Sequence, residues 1–126
     1  MERSNALAKA NGIRSENVFG NYMKTKNYHV KQLNDLIDMV VDGSYVEIKS
    51  CQDYILDRSH KNVVRKGRFV LDEEQHEFLV GHDGYYVFVL NFGHDTVCAT
   101  KRFRILKARR LKFQKLIVWP KIFEVN

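Results

Sequence analysis

The stretch from Ile37 to Ser50, IDMVVDGSYVEIKS, predicts the centre of the fold. Two apolar segments flank Asp42-Gly43, a dipeptide that is typical of a two-residue type I′ turn between antiparallel strands. The stretch therefore predicts a β-hairpin with strands over residues 37–41 and 44–50. The length of the turn also decides which residues face each other, because side chains alternate between the two faces of a sheet.

A two-residue turn places Asp38 directly opposite Glu47, with Lys49 further along the same face of the second strand. Like charges opposite one another destabilise a sheet. Lys49 offsets this repulsion in part, and a divalent cation held by both carboxylates would offset it better. A three-residue turn would reverse the parity and select Asp35 instead of Asp38. The structural alternative is a ladder of ion pairs on an exposed strand face.

The segment before the hairpin predicts a helix. Residues 5–24 have helical spacing, with an interruption near Gly12 and a second piece for which Ser15 is the expected N-cap. In that second piece Glu16 and Phe19 lie on one stripe of the helix.

The segment after the hairpin predicts one more helix and further strands. Asp72 is the expected N-cap of a helix that ends at Gly81. Gln75 is expected to close a capping box at the start of this helix, and a reach into the site is its alternative. The uninterrupted apolar run Tyr85–Leu90 predicts a strand buried on both faces, and residues 96–106 predict another strand.

Two segments are less regular. Residues 52–71 are polar and basic and predict a loop, and residues 107–126 contain an apolar segment that predicts an edge strand broken by Pro120. The order of helix, strands, helix and strands predicts an α/β domain with a mixed sheet and helices packed on it. The length of 126 residues predicts that residues 1–126 form a single domain.

Composition narrows the classes of partner. Lys and Arg number 21 against 15 Asp and Glu, and this net charge of +6 points toward a polyanion, most often nucleic acid. No apolar run approaches the roughly 20 residues of a membrane span, and residues 1–10 do not have the pattern of a secretory signal. Cys51 and Cys98 lack metal-binding spacing, which predicts two thiols in a reducing cytoplasm.

Two basic clusters are candidates to contact a phosphate backbone. The first follows the hairpin and comprises Arg58, Lys61, Arg65, Lys66 and Arg68. The second is part of the run KRFRILKARRLKFQK and comprises Lys101, Arg102, Arg104, Arg109 and Arg110. The alternative for the first cluster is a solvated loop.

The hairpin and its neighbours resemble the PD-(D/E)xK nuclease superfamily. The matching residues are Asp38, then Glu47-Ile48-Lys49 on the next strand, and Glu16 on the upstream helix, while Ile37 stands where the superfamily name has proline. The resemblance implies a restriction-endonuclease-like fold, a mixed β-sheet flanked by helices. It also implies a metal-dependent DNA endonuclease that hydrolyses phosphodiester bonds, similar to archaeal-type Holliday junction resolvases or to compact restriction-like endonucleases.

The resemblance also implies roles for the site residues. Asp38, Glu47, Glu16 and the backbone carbonyl of Ile48 would hold Mg²⁺, with Mn²⁺ as the alternative ion. Lys49 would orient the attacking water or stabilise a non-bridging phosphate oxygen. Asp38, Glu47, Lys49 and Glu16 are the expected catalytic residues, and the alternative for Glu16 is an ordinary solvated helix residue.

The expected partner is duplex or branched DNA, bound by a homodimer because cutting two strands with one site per domain suggests two-fold symmetry. The dimer surface is expected at Tyr85–Leu90 or at the apolar C-terminal segment that contains Ile117, Trp119 and Ile122. The first alternative function is a non-catalytic nucleic-acid-binding module that uses the same basic surface. Others are an RNA-directed enzyme, a subunit of a larger complex and a site whose catalysis has decayed.

Overall fold

The hairpin predicted around Asp42-Gly43 lies within a mixed five-stranded sheet in the computed structural model, which describes residues 15–57, 63–92 and 101–123. In chain order the strands are β1 (Val30–Gln32), β2 (Met39–Val41), β3 (Ser44–Gln52), β4 (Tyr54–Asp57), β5 (Val63–Lys66), β6 (Arg68–Val70), β7 (Tyr85–Asn91), β8 (Lys101–Lys107) and β9 (Leu116–Val118). The helices are α1 (residues 15–25), α2 (Glu73–Gly81) and α3 (Pro120–Phe123), with a 3₁₀ turn at Ala108–Arg110. The predicted α/β architecture is confirmed.

The turn at Asp42-Gly43 has the predicted length of two residues. Val41 pairs with Ser44, and φ is 46° at the first turn residue and 80° at the second. A type I′ turn requires positive φ at both central residues, and its twist matches that of the flanking strands. The same register places Asp38, just before β2, opposite Glu47 in β3.

The five-stranded sheet has the order β1-β2-β3-β7-β8. The first three strands form an antiparallel meander, β3 and β7 pair in parallel, and β8 returns antiparallel to β7. The chain between β3 and β7 contains α2 and three short strands. Two of these, β4 and β5, pair with each other, and β6 pairs with β9. The prediction of a loop over residues 52–71 is therefore wrong for the described part of that segment.

Apolar side chains cover the two faces of the sheet in separate clusters. Phe19 of α1 packs with residues of one face, which include Met39 and Ile48. Leu79 of α2 packs with residues of the opposite face, which include Tyr86 and Phe88. Strand β7 contributes to both clusters and its residues 86–90 are fully buried, as the uninterrupted apolar run predicts.

The C-terminal segment belongs to the core of the chain. Ile117, Trp119 and Ile122 are 3%, 9% and 2% exposed. The indole N–H of Trp119 donates to the backbone oxygen of Asp53 at 2.7 Å, and Pro120 begins α3. Because this segment and Tyr86–Leu90 are both buried within one copy of the chain, the prediction that either supplies a dimer surface is wrong.

The predicted helix ends are partly correct. The Asp72 side chain accepts from the backbone N–H of Gln75 at 2.9 Å, and α2 ends at Gly81 as expected. The prediction that Ser15 is an N-cap is wrong, because Ser15 lies within α1 and its buried Oγ has no hydrogen-bond partner. The expected helix over residues 5–14 lies outside the described residues. Among the helices that are described, none is long and apolar enough to cross a membrane.

We expect Gly67→Ala to destabilise the fold because Gly67 joins β5 to β6 against the end of β3. A Cβ at this position would overlap the Gln52 carbonyl oxygen, which belongs to the backbone and cannot rotate away. The expected loss is about 1 to 3 kcal/mol of unfolding free energy, the usual cost of overpacking. Urea unfolding followed by circular dichroism measures it.

The matched control is Gly81→Ala at the end of α2, where an added Cβ meets no atom within 4 Å. This change is expected to be neutral or stabilising by up to about 1 kcal/mol, because alanine is a better helix former than glycine. Equal losses in the two variants would contradict the close approach at Gly67.

Candidate active site

The carboxylates of Asp38 and Glu47 meet where the first strand of the hairpin begins. The backbone N–H of Asp38 donates to Glu47 Oε1 at 2.9 Å, and the backbone N–H of Ile48 donates to Asp38 Oδ2 at 2.8 Å. Each carboxylate thus accepts a hydrogen bond from the strand of the other. This reciprocal contact holds two like charges side by side. The two-residue turn gives the register that the sequence associates with Asp38 and not with Asp35, and Asp35 is exposed.

Burial makes the proximity of these charges costly. The Glu47 side chain is almost fully buried, and its residue is 3% exposed. Burial, and then the charge of Asp38, raise the pKa of Glu47 from 4.5 to about 7, although Lys49 acts in the opposite direction. Both effects disfavour the ionised form of a carboxyl group. The site therefore concentrates negative charge that a cation would stabilise.

A third carboxyl group joins the pair from the opposite face of the sheet. Burial, then the charge of Asp38 and a hydrogen bond to it, raise the pKa of Glu16 from 4.5 to about 7. Glu16 lies on α1, which packs through Phe19 on the face opposite to α2. The structure thus places Glu16 beside Asp38.

Lys49 is held between two acceptors on the α2 face of the sheet. Its Nζ lies 3.2 Å from Glu47 Oε2 and donates to Gln75 Oε1 at 2.8 Å. The Gln75 amide in turn donates through Nε2 to the backbone oxygen of Leu36 at 2.8 Å. The ammonium group therefore has a defined position beside the two carboxylates.

Gln75 reaches into the site, which the sequence predicts only as the alternative to a capping box. Its backbone N–H donates to the side chain of the N-cap residue Asp72, as predicted. Its side chain accepts a hydrogen bond from Lys49 and donates one to the Leu36 backbone oxygen, so it does not complete the capping box. Its position in the first turn of α2 is the signal that could have suggested this reach. The sequence does not reveal which strand the first turn of α2 will meet.

The donor set fits a hydrated magnesium ion. Mg²⁺ is usually held in proteins by one or two carboxylates, and it keeps several of its waters. Asp38 and Glu47 provide those carboxylates, with Glu16 adjacent. The Ile48 carbonyl is expected on the same edge as the Ile48 N–H, because both groups of a strand residue point the same way. Within the described ranges, no group of three or more His, Cys, Asp or Glu side chains is positioned to hold a metal ion without rearrangement.

The basic residues of the first predicted cluster lie on the strands that follow the hairpin. Arg65 and Lys66 belong to β5 and Arg68 to β6, and Lys66 Nζ lies 5.9 Å from the centre of the Trp119 ring. The other two residues of this cluster, Arg58 and Lys61, lie outside the described residues.

The second predicted cluster lies on β8 and the turn that follows it. Lys101 donates to Asn91 at 2.7 Å, Arg102 lies over the Phe123 ring and Arg109 pairs with Asp83 at 3.5 Å. Arg104 is half-buried and Arg110 is exposed. Strand β8 is separated from β3 by β7, so the backbones of β3 and β8 lie about 10 Å apart across the sheet. Lys101 pairs with Asn91, five residues along β7 from the partner of Glu47, and is therefore further from the carboxylates. Their contact with nucleic acid stays a prediction.

Comparison with known proteins gives one family match. A family model described as a PD-(D/E)XK nuclease superfamily domain matches residues 1–121. No curated protein matches the chain. No solved structure matches it.

The raised carboxyl pKa values predict how stability changes with pH in the presence of a chelator. Folded Glu47 keeps its proton up to about pH 7, whereas the ordinary value is 4.5. The unfolded chain binds fewer protons in this window, so the free energy of unfolding falls as pH rises through it. We expect a smaller fall for Glu47→Gln, which cannot ionise. Urea unfolding at several pH values from about 5 to about 8 measures the difference.

Glu77→Gln on the exposed side of α2 is the control for this measurement. Its stability should follow that of the unchanged protein at every pH. If Glu47→Gln also follows the unchanged protein throughout, burial and the charge of Asp38 do not raise the pKa of Glu47 in the folded protein.

Proposed function

This chain belongs to the PD-(D/E)XK nuclease superfamily, and we propose that it is a Mg²⁺-dependent DNA endonuclease. One observation supports the reaction above all others. Two backbone hydrogen bonds hold the Asp38 and Glu47 carboxylates side by side, and the ammonium group of Lys49 lies 3.2 Å from Glu47 Oε2. Opposite charges fixed this closely on one sheet face can bind a cation and a phosphate at the same point. A nuclease domain acts on nucleic acid, and the substrate we propose is DNA.

The acidic residues hold the cation in the proposed reaction. Asp38 and Glu47 would bind the cation, and Glu16 would add a third carboxyl group from α1. When bound, the ion would polarise a phosphoryl oxygen and lower the pKa of water at the site. Glu47 has a second task, because its Oε2 anchors Lys49 at 3.2 Å. Glu47 therefore also fixes the position of the Lys49 ammonium group.

Lys49 acts on the substrate in this proposal. Its ammonium group has three N–H donors, of which two face Glu47 and Gln75. The third would meet a non-bridging oxygen of the scissile phosphate or orient the attacking water. Such a donor stabilises negative charge that grows in the transition state, and its fixed position avoids reorganisation at the moment of reaction.

The proposal extends to the form of the substrate and to assembly. We propose duplex or branched DNA as the substrate, in a resolvase-like or restriction-like reaction, because the net charge of +6 favours a polyanion with many phosphate contacts. One site per domain supports a two-fold homodimer for cutting two strands. The free thiol of Cys51, whose pKa burial raises to about 12, supports a reducing compartment such as the cytoplasm.

Substitution of the three central residues tests the reaction. We expect Asp38→Asn, Glu47→Gln and Lys49→Met each to reduce the cleavage rate by about 100-fold or more, because each removes a charge that would hold the cation or act on the phosphate. The assay follows nicking of a labelled duplex, a four-way junction and an RNA of the same sequence, with Mg²⁺, with Mn²⁺ and with a chelator.

Glu77→Gln, an exposed change of the same chemistry, is the control and should keep full activity. Cleavage that survives Glu47→Gln would remove the site assignment. Binding without cleavage on every substrate and with both metals would indicate a nucleic-acid-binding module without catalysis.

Gln75→Ala tests whether this glutamine positions Lys49. We expect kcat to fall about tenfold with KM unchanged, because Lys49 would lose one of its two anchors but keep its charge. Helix α2 should stay intact, since its cap uses the backbone N–H of residue 75 and not the side chain. Steady-state kinetics on the preferred DNA substrate and a thermal melt give both quantities.

The exposed Gln114 provides the matched control, and Gln114→Ala should leave both kinetic constants unchanged. A rise in KM with unchanged kcat for Gln75→Ala would mean that Gln75 binds substrate and does not position the lysine.

A further inference from the structure

A cavity of about 500 Å³ lies directly beside the proposed active site. Its floor is a row of three paired residues, Lys31 of β1, Val40 of β2 and Tyr45 of β3. Tyr45 is two residues before Glu47 on the same face of the same strand, a separation of about 7 Å. The cavity and the carboxylates therefore lie on one surface, about one nucleotide apart.

Two elements of the site also form walls of the cavity. Phe78 closes it from α2, about one helical turn after Gln75. Leu36 lines the cavity, and its backbone oxygen accepts the hydrogen bond from Gln75. A substrate strand at Lys49 would thus reach this cavity with its next nucleotide.

The lining of the cavity has the chemistry that binds a base. The Tyr45 and Phe78 rings meet edge to face with centroids 4.9 Å apart, and both are only partly buried. The His82 ring stacks on Phe78 with centroids 4.0 Å apart and meets Tyr45 edge to face. Partly exposed aromatic rings stack on unpaired bases, which is worth about 1 to 3 kcal/mol per base. The volume is in the range of roughly 300 to 1,000 Å³ that is usual for small-molecule sites.

Two charged side chains at the rim match the polar parts of a nucleotide. Lys31 and Asp35 line the cavity and are exposed. The Lys31 ammonium suits the phosphate that follows the base. The Asp35 carboxylate can only accept hydrogen bonds, so it suits a base that presents an amino group.

We propose that this cavity binds one unstacked nucleobase next to the scissile phosphate, with a preference for bases that carry an exocyclic amino group over thymine. The inference rests on the proposed nuclease function and adds a substrate class to it. A base inside a continuous duplex is not available for such a pocket. The cavity therefore favours DNA with an unpaired or flipped base, as at a branch, a mismatch or a single-stranded end.

Photochemical crosslinking tests the pocket without depending on cleavage. The full chain is irradiated in chelator with branched DNA that carries one 5-iododeoxycytidine at an unpaired position, and the crosslinked peptide is identified by mass spectrometry. We expect the crosslink at Tyr45 or Phe78, and we expect Tyr45→Leu to reduce the yield at least about fivefold. Tyr22→Leu, an exposed tyrosine on α1, should leave the yield unchanged.

A second variant covers the case in which Tyr45→Leu fails to fold. Asp35 is exposed, and Asp35→Ala should fold normally. We expect the unchanged protein to bind DNA with an unpaired cytosine at least about fivefold more tightly than DNA with an unpaired thymine, and Asp35→Ala to lose this preference. Equal affinities for the two bases in the unchanged protein would overturn the inference.

The outcomes separate this inference from the proposed reaction. Cleavage together with crosslinks that map only outside the cavity overturns the base pocket and leaves the nuclease assignment standing. Crosslinks at Tyr45 or Phe78 without cleavage on any substrate support the pocket and reject the proposed hydrolysis.

Discussion

The pair of hydrogen bonds that joins Asp38 to β3 and Glu47 to the start of β2 is the interaction on which the site depends. It exists only in the register that the two-residue Asp42-Gly43 turn sets. A slip by one residue would move Glu47 and Lys49 to the α1 face, away from Gln75. A local choice of turn, four residues from Asp38, thus determines which side chains can act together on a phosphate.

The same contact works against the stability of the fold. Glu47 is buried beside Asp38, and Glu16 adds a third carboxyl group, so the raised pKa values of Glu47 and Glu16 record an electrostatic cost. The cost is tolerated because β7, next to β3, is buried on both faces and anchors the hairpin. Lys49 neutralises part of it. A cation would stabilise the remaining negative charge, so under the proposed function the unfavourable term in folding would favour binding.

The sequence predicts the parts of this structure that depend on local pairing. The Asp-Gly turn, the opposition of Asp38 and Glu47 and the cap of α2 involve residues close in the chain, and their geometry follows from turn length and side-chain period. The bridge from Gln75 to Lys49 spans 26 residues, and the sequence predicts it only as the alternative to a capping box. From the sequence alone, the segment around Trp119 is predicted to be an exposed apolar patch. In the structure its indole N–H donates to the backbone oxygen of Asp53, which lies 66 residues earlier in the chain. Long-range packing, which a single sequence does not display, decides these features.

Helix α2 connects the chemistry to the choice of substrate. Its first turn holds Lys49 through Gln75, and its next turn presents Phe78 to the cavity beside the site. Because a helix is stiff over two turns, the ammonium group and the aromatic wall keep a fixed separation along the path of a nucleic acid strand. A chain of net charge +6 attracts polyanions of any sequence, and that attraction alone selects neither a bond nor a base. If the acidic centre holds a cation and the neighbouring cavity holds a base, as we propose, the recognition that the global charge lacks arises on a single face of α2.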